Sequence, residues 1–230
     1  MKPWETLEKA VTPDGEELTL ARRGDEYVLR VGGHLLMSSR MHGSEEALAR
    51  AGCAHLVARP RVRVLVGGLG FGYTVRAALS HLGPDARLTV AELIPAVVAW
   101  NRGLLAPLAD RPLEDPRVTV VEGDVSALMG RHASTFDAIL LDVDNGPRAL
   151  TQDDNFGLYS LTGLALAFGA LRPNGTLVVW SAGSDPAFLK RLGQVGFSAQ
   201  VQHPPARGTK GPRHTLFIGK RPPGAVGRER

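Results

Sequence analysis

The sequence predicts an α/β domain built on a mostly parallel sheet, preceded by a small antiparallel β meander. Two observations lead to this fold class. Strand-like and helix-like stretches alternate from residue 61 onward, which is typical of a parallel sheet with helices on both faces. In addition, an apolar run at 62–66 leads into a glycine cluster and then a helix-like segment. In that arrangement a backbone can approach a nucleotide-like ligand closely.

Composition limits the classes of protein that this chain can be. With 230 residues, the chain is long enough for one sizeable domain and a small appendage. Hydrophobic content of 43% with 22% charged residues is ordinary for a globular protein, and no apolar run of about 18 residues predicts a membrane span. The first ten residues, MKPWETLEKA, contain no apolar signal segment, so we expect a cytoplasmic protein.

The cysteine count and the charge narrow the possible partners. A single cysteine, Cys53, excludes an internal disulfide and a multi-cysteine zinc site, and we expect it to be a buried apolar residue rather than a reactive thiol. The net charge of +4 and the pI near 9.6 raise the question of nucleic acid. Basic residues are densest at 220–230, among Pro and Gly, where a solvated tail is the favoured interpretation and a nucleic-acid arm the alternative.

The meander is predicted within residues 1–43. Its strand-like runs, separated by glycine-containing turn pairs, are 17–22, 26–31 and 34–38. Ser44 followed by Glu45 and Glu46 is typical of a helix N-terminus, and this helix should reach about residue 56.

The main domain is predicted to span 44–222, with a flexible tail at 223–230. Its strands are predicted at 62–66, 87–92, 117–121, 136–142 and 176–180. Its helices are predicted at 73–82, from Pro95, from Val125, at 158–171 and at 186–192. No helix separates the last two strand-like runs, 198–202 and 214–220, which predicts an antiparallel hairpin at the sheet edge.

The glycine loop is the first candidate for ligand binding. We predict that cofactor-binding positions include Gly67, Gly68, Gly70 and Gly72, because ligands of open parallel sheets bind at the carboxyl ends of strands. The GxGxG spacing lacks the third glycine of the dinucleotide fingerprint. A tight turn that needs positive φ angles is therefore the structural alternative.

Three later strands end in carboxylates. Glu92 follows the glycine loop by about 20 residues, where an acid can accept both ribose hydroxyls; capping of the next helix is the alternative. Asp124 and Val125 are predicted to contact the adenine, although Asp124 could act only as a helix N-cap. Asp142 ends the fourth strand of the main domain and faces the same edge.

These motifs resemble the class I S-adenosylmethionine-dependent methyltransferase fold, and within it the spermidine synthase group. The similarity covers residues 25–182 and includes VLVGGLGFG, VAELIPAVV, DPRVTVVEGD, FDAILLDVDNGP and LRPNGTLVV. It implies a Rossmann-like, seven-stranded, mostly parallel sheet with a C-terminal antiparallel hairpin. It also implies an adenosyl cofactor, either S-adenosylmethionine or its decarboxylated form, together with no metal and a possible homodimer.

Departures from that group affect the expected substrate. Spermidine synthases place an aspartate associated with the amine of the transferred aminopropyl group where this chain has Gly70. The loop after the fourth strand is two residues shorter, so Asp142 matches the family's base while Asp144 is a candidate for the acid that grips the polyamine. Before the first parallel strand, Glu45-Glu46 replaces the usual His-Glu, so that Glu46 matches and the histidine does not.

These departures lead us to expect methyl transfer from S-adenosylmethionine to a small, amine-bearing acceptor. Backbone N–H groups of a glycine loop at a helix N-terminus suit the donor's carboxylate. Aminopropyl transfer from the decarboxylated donor is the alternative, and a non-catalytic nucleoside-binding module is a further one. A nucleic-acid methyltransferase ranks lower, because DVDNGP lacks the Asn-Pro-Pro-aromatic box used on base amines.

Asp142 is the predicted catalytic residue under either donor. In-line displacement at a carbon bonded to sulfonium needs mainly a positioned nucleophile and an acceptor for its proton. A carboxylate that only caps the loop is the alternative. Predicted substrate contacts are Asp144, Asn145, Tyr159 and His42, with packing as the alternative role for Tyr159 and a structural role for His42.

Overall fold

The computed structural model describes residues 2–143, 155–207 and 210–224. The strands are β1 (Glu5–Val11), β2 (Glu17–Arg23), β3 (Glu26–Val31), β4 (His34–Ser38), β5 (Arg63–Gly67), β6 (Arg87–Glu92), β7 (Val118–Glu122), β8 (Phe136–Leu141), β9 (Leu171–Ser181), β10 (Ser198–Gln202), β11 (Pro205–Arg207), β12 (Lys210–Arg213) and β13 (Thr215–Lys220). The helices are α1 (Gly43–Cys53), α2 (Tyr73–Leu79), α3 (Pro95–Arg102), α4 (Val125–Gly130), α5 (Asn155–Tyr159), α6 (Leu161–Ala170) and α7 (Pro186–Val195). Short 3₁₀ turns lie at Ala54–Leu56, Ala106–Ala109 and Pro112–Glu114.

The main sheet has seven strands in the order β10-β13-β9-β8-β5-β6-β7. The five strands from β9 to β7 pair in parallel, whereas β13 pairs antiparallel with both β9 and β10. The predicted parallel sheet with an antiparallel edge hairpin is confirmed. After β7 the chain returns to the other side of β5, so the switch point of the sheet lies between β5 and β8. Ligands of open α/β sheets bind outside the strand ends at such a point.

Burial explains why β5 and β8 form the centre of this sheet. All six residues of β8 are buried. On β5, Val64 and Val66 join the core under α1, α2 and α3, while Leu65 joins the core under α4, α6 and α7. Alternation of apolar side chains between two helical layers is what a strand covered on both faces requires.

Helix α1 packs closely on the sheet and so fixes the position of its own N-terminus. A Cβ atom at Gly52 would lie 2.3 Å from Leu140 Cδ2, so only glycine lets the helix approach β8 this closely. Cys53 on the same helix is fully buried, as predicted, and burial raises the pKa of its thiol to about 12. Such a thiol stays protonated and unreactive at neutral pH.

The N-terminal sheet has four strands rather than the predicted three, in the order β1-β2-β3-β4. Strand β1 has no apolar alternation, because its residues ETLEKAV are exposed or only half-buried at the sheet edge. The helix predicted at 158–171 is also different: α5 and α6 are separated at Ser160, whose Oγ accepts a hydrogen bond from the Gly163 N–H at 3.2 Å. The serine cap therefore marks a helix boundary that the spacing of apolar residues does not reveal.

Candidate active site

A cavity of about 1040 Å³ lies at the carboxyl edge of the main sheet, over the switch point. Its lining includes the glycine loop, the ends of β6 and β8 and the first turn of α1. Apolar side chains of the N-terminal sheet, among them Leu18, Leu29 and Met37, form another wall. The two sheets therefore enclose this space together.

The glycine loop is held by hydrogen bonds to its neighbours. Gly68 has a φ of +86°, and a Cβ atom there would lie 2.3 Å from the backbone oxygen of Asp142. Its N–H donates to the Ala91 carbonyl at 2.9 Å, and the Asp142 N–H donates to the Gly67 carbonyl at 2.8 Å. This close approach accounts for the glycine, so the tight-turn alternative explains position 68 without a ligand.

Other loop positions differ in their access to the cavity. Gly68 and Gly70 are among its lining residues, whereas Gly67 and Gly72 are not found among the described residues that line it. Gly72 is the N-cap of α2, with a φ of +85°. At Gly70, with a φ of +51°, a Cβ atom would lie 2.7 Å from Met37 Cε. Met37 of β4 therefore fills the space that a side chain at position 70 would need.

Glu92, at the end of β6, is hydrogen-bonded to the glycine loop. Its Oε2 accepts the Leu69 N–H at 2.8 Å and its Oε1 accepts the Ile94 N–H at 2.9 Å. The side chain is only 8% exposed and lines the cavity. Both the predicted ligand contact and the capping alternative are compatible with this position, since each carboxylate oxygen has a second acceptor direction.

Asp124 and Val125 lie at the end of β7, and both line the cavity. The Asp124 carboxylate is exposed and accepts the Ser126 N–H at 2.8 Å, so it is the N-cap of α4. Val125 is buried beneath it. The capping role that the sequence offered as the alternative is thus present, and contact with an adenine stays a prediction.

Asp142 lies in the cavity at the end of β8. Its Oδ2 accepts a hydrogen bond from Thr74 Oγ1 at 2.6 Å. Burial raises the pKa of the Asp142 carboxyl to about 6, although the Thr74 hydrogen bond opposes this rise. A carboxyl with a pKa in this range is better suited to accept a proton near neutral pH than an ordinary aspartate. No pattern in the sequence pointed to Thr74, which lies on α2.

Glu45, rather than Glu46, lies in the cavity. It is only 8% exposed, and burial raises its pKa well above the ordinary value, with the charges of Asp142 and Glu46 adding to the rise. The sequence contained a signal for the burial of Glu45. The buried residues Leu48, Ala49 and Gly52 follow it by three, four and seven positions, so all four lie on one face of α1.

Glu46 takes part in a separate cluster with His42. Its Oε1 pairs with Arg76 and lies 3.1 Å from His42 Nδ1, and the His42 ring stacks on Tyr73 at 4.3 Å between centroids. Neither Glu46 nor His42 is among the described residues that line the cavity. These contacts support the structural role for His42 that the sequence offered as the alternative.

A hydrogen-bonded group next to Glu45 was not predicted. Trp180 Nε1 donates to Ser44 Oγ at 3.0 Å, and Ser44 Oγ lies 2.8 Å from His214 Nδ1. All three residues line the cavity. Burial lowers the pKa of His214, which favours the neutral ring. The sequence could not show this group, because its members are separated by as many as 170 positions.

Tyr159 and the loop after β8 complete the list of predicted contacts. The Tyr159 hydroxyl donates to the Val143 carbonyl at 3.2 Å, and its ring packs edge-on against Phe188. This agrees with the packing alternative for Tyr159. The predicted substrate contacts Asp144 and Asn145 lie outside the described residues.

Within 2–143, 155–207 and 210–224 there is no group of three or more His, Cys, Asp or Glu side chains that could hold a metal ion. The same residues contain no helix long and apolar enough to cross a bilayer.

Sequence comparison identifies relatives for this arrangement, although no protein-family model matches the chain. It is 30% identical over 173 residues to the polyamine aminopropyltransferase of Corynebacterium efficiens, a match that covers 74% of this chain and 31% of that protein. It is 31% identical over 172 residues to the polyamine aminopropyltransferase of Mycobacterium tuberculosis H37Rv, with the same two shares. The chain thus spans about a third of the length of these relatives.

Solved structures agree on the fold. Spermidine synthase from Thermotoga maritima superposes with a TM-score of 0.74 at 18% identity, covering 94% of this chain and 72% of that one. A probable spermidine synthase from Corynebacterium glutamicum gives a TM-score of 0.66 at 18% identity, covering 94% and 79%. The fold is the S-adenosylmethionine-dependent methyltransferase-like fold that the sequence predicted. In sequence and fold the chain is similar to spermidine synthases, which confirms the resemblance seen in the motifs.

The comparisons also bear on the choice between donors. The relatives reported above are named for aminopropyl transfer, which was the alternative in the sequence interpretation, rather than for methyl transfer. The expectation of methyl transfer has no support from them.

Proposed function

We propose that this chain is an aminopropyltransferase domain that moves the aminopropyl group of decarboxylated S-adenosylmethionine to a small amine. Both substrates carry ammonium groups, and neither carries the carboxylate of intact S-adenosylmethionine. The names of the relatives support the reaction class, and the cavity's hydrogen bonds and charges support the donor.

The observation that carries the proposal is that three backbone amides of the glycine loop already donate hydrogen bonds within the protein. The expectation of methyl transfer depended on backbone N–H groups being available to a donor carboxylate. Gly68, Leu69 and Gly72 instead donate to Ala91, Glu92 and Leu69, at 2.9, 2.8 and 2.8 Å respectively. These three groups have no second hydrogen to offer, because a backbone amide carries only one.

Charge in the cavity favours the same donor. Asp142 and Glu45 both line it, and a donor carboxylate placed near them would be repelled, whereas an ammonium would be attracted. Glu92 adds a third acid at the end of β6. The decarboxylated donor is therefore the better electrostatic match.

The proposed reaction needs no covalent bond to the protein. The acceptor nitrogen attacks the aminopropyl carbon bonded to sulfur, and the carbon–sulfur bond breaks. The sulfur keeps that electron pair and becomes the neutral thioether of methylthioadenosine. The nitrogen gains a bond and loses a proton, for which Asp142 is the proposed acceptor. Thr74 orients this carboxylate through its 2.6 Å hydrogen bond.

The remaining site residues have proposed roles in holding the nucleoside. Glu92 would accept the ribose hydroxyls, and Asp124 with Val125 would contact the adenine edge, above Gly68 and Gly70 of the loop. Asp144 and Asn145 remain proposed contacts to the acceptor amine.

Product analysis tests this proposal. The protein is incubated with 1,4-diaminobutane and either S-adenosylmethionine or its decarboxylated form, and the nucleoside products are separated by chromatography. We expect methylthioadenosine from the decarboxylated donor and no S-adenosylhomocysteine from the intact one. Formation of S-adenosylhomocysteine would reinstate methyl transfer, and the absence of a nucleoside product from either donor would overturn the proposal.

A further inference from the structure

Glu45 is a buried acid whose position has no structural explanation in the contacts around it. It is 8% exposed, and among the described residues no hydrogen-bond donor reaches its buried Oε2. Burying a carboxylate without a partner costs several kcal/mol. Buried polar groups in native proteins nearly always have partners, so an exception suggests that one is missing.

Helix capping does not account for this burial. Glu45 lies in the first turn of α1, where an acid interacts favourably with the helix dipole. That interaction contributes only about 0.3–1 kcal/mol at an exposed site and does not require burial. Glu46 occupies the same turn at a half-buried position and is paired with Arg76. Glu46 therefore already provides the favourable interaction with the helix dipole, and its position requires less desolvation than that of Glu45.

The charges around Glu45 make a positively charged partner more favourable. Asp142 and Glu46 both raise the pKa of Glu45 through their negative charges. Tyr73, on the neighbouring helix, is neutral at pH 7, since burial and Glu45 raise the pKa of its hydroxyl. His214 is kept neutral by burial, and Arg76 pairs with Glu46 and, at 3.5 Å, with Asp110. Among the described residues, no cation is paired with Glu45.

The surroundings of the two acids fit an alkylammonium. Trp180 and His214 are fixed by hydrogen bonds to Ser44, the residue before Glu45, and the aromatic rings face the same cavity. Leu18 and Leu29 add apolar surface to its wall. An alkylammonium offers up to three N–H donors to carboxylates while its methylene chain contacts apolar and aromatic groups.

We propose that Glu45 and Asp142 together bind one ammonium group of an amine substrate, so that Glu45 acts as a specificity residue for a cationic ligand. This inference rests on the proposed function, since it assigns a residue to substrates of that reaction. Burial raises the pKa of both carboxyls, which favours their protonated forms, whereas a bound ammonium favours their charged forms. Entry of the ammonium should therefore release protons to solvent.

Calorimetric titration of Glu45→Gln tests the proposal. The probes are decarboxylated S-adenosylmethionine, 1,4-diaminobutane, and methylthioadenosine, which lacks the aminopropyl ammonium. We expect the substitution to weaken at least one of the two amines about tenfold or more, because a charge-assisted hydrogen bond is lost. Methylthioadenosine should bind within about twofold of the wild-type affinity. The arm that weakens identifies whether the donor or the acceptor supplies the ammonium.

Glu46→Gln is the matched control, since it removes an acid from the same helical turn but outside the cavity lining. It should leave all three affinities unchanged. Titrations at pH 7 in two buffers of different ionisation enthalpy should show proton release on amine binding to the wild type, and less release with Glu45→Gln.

The outcomes separate the two proposals. If the wild type binds methylthioadenosine and both amines but Glu45→Gln leaves every affinity and the proton release unchanged, the role of Glu45 is wrong and the proposed function stands. If the wild type binds none of the three probes, the proposed function fails, and this inference fails with it. Unchanged methylthioadenosine binding by the variant shows that it is folded, so weaker amine binding then supports the role.

Discussion

The two ends of the cavity are built in different ways. At the glycine-loop end, defined here by Gly68 and Glu92, the polar groups already have protein partners: the Gly68 N–H donates to Ala91, and Glu92 accepts two backbone N–H groups. At the acid end, defined by Glu45 and Asp142, burial raises the pKa of both carboxyls, and Oε2 of Glu45 meets no donor from the described residues.

This difference separates an end of the cavity whose polar groups are paired within the protein from an end where we propose that a ligand binds. Hydrogen bonds at the glycine-loop end contribute to folding, so that end is formed before any ligand binds. The buried acids at the acid end cost folding free energy, and a cationic ligand would recover it. Function at the second end is therefore expected to oppose stability, as it often does at active sites.

The largest expected effect is on turnover at the acid end. Replacing Asp142 by Asn removes the proton acceptor but can keep the hydrogen bond from Thr74. We expect aminopropyl transfer to fall about 10²-fold or more, since general-base contributions are of that size. Methylthioadenosine formation measures the rate, and calorimetry with methylthioadenosine should show unchanged binding. Turnover within about twofold of wild type would mean that Asp142 only caps the loop.

A substitution at the glycine-loop end should instead affect stability and nucleoside binding together. Glu92→Gln places an amide NH₂ opposite a backbone N–H, and we expect a loss of about 2–3 kcal/mol in the free energy of unfolding. Methylthioadenosine affinity should fall about tenfold or more. Glu122→Gln is the control, because Glu122 is the exposed neighbour of Glu92 in the β6–β7 register. Urea denaturation in which both variants behave alike would contradict the assigned role of Glu92.

Removing charge at the acid end should have the opposite effect on stability, and only at higher pH. The pKa of Asp142 is raised to about 6 in the folded state, so the folded protein binds more protons than the unfolded chain between about pH 4 and 6. Stability therefore falls as the pH rises through this window. Asp142→Asn should raise the free energy of unfolding by about 2 kcal/mol at pH 8 and by little at pH 4. Equal shifts at both pH values would contradict the burial of an ionised Asp142.

The smallest effect is expected where the two sheets meet at Gly70. Gly70→Ala introduces a Cβ atom 2.7 Å from Met37 Cε at a φ of +51°, and we expect a loss of about 1–2 kcal/mol. In the double variant, adding Met37→Ala to Gly70→Ala should remove the part of the loss that comes from crowding. The part that comes from the backbone angle should remain. If the two substitutions were additive in urea denaturation, the contact with Met37 would not explain the glycine.

The fold could be predicted because its evidence is local. Alternating strand-like and helix-like segments indicated the parallel sheet, and the missing helix before β13 indicated the edge hairpin. Strand β1 escaped prediction because an exposed edge strand needs no apolar alternation. The positions of Glu92, Asp124 and Asp142 at the cavity could be predicted because these residues follow or end strands of one sheet.

The acid end could be predicted only in part. Its other members depend on tertiary contacts: Thr74 reaches Asp142 from α2, and His214 reaches Ser44 from 170 positions away. Glu45 could have been found from the spacing of the buried residues on α1, but the family pattern drew attention to Glu46. The predicted methyl transfer from a carboxylate-bearing donor has no support from the relatives, and a sequence does not show which loop amides already donate to the protein.

Comparison of the two donors by calorimetry tests the central claim most directly. The acid end should attract the ammonium of decarboxylated S-adenosylmethionine and disfavour the carboxylate of the intact donor, while both share the same nucleoside. We therefore expect the decarboxylated donor to bind at least about tenfold more tightly than S-adenosylmethionine, a difference of about 1.4 kcal/mol. Equal affinities, or tighter binding of S-adenosylmethionine, would contradict the account.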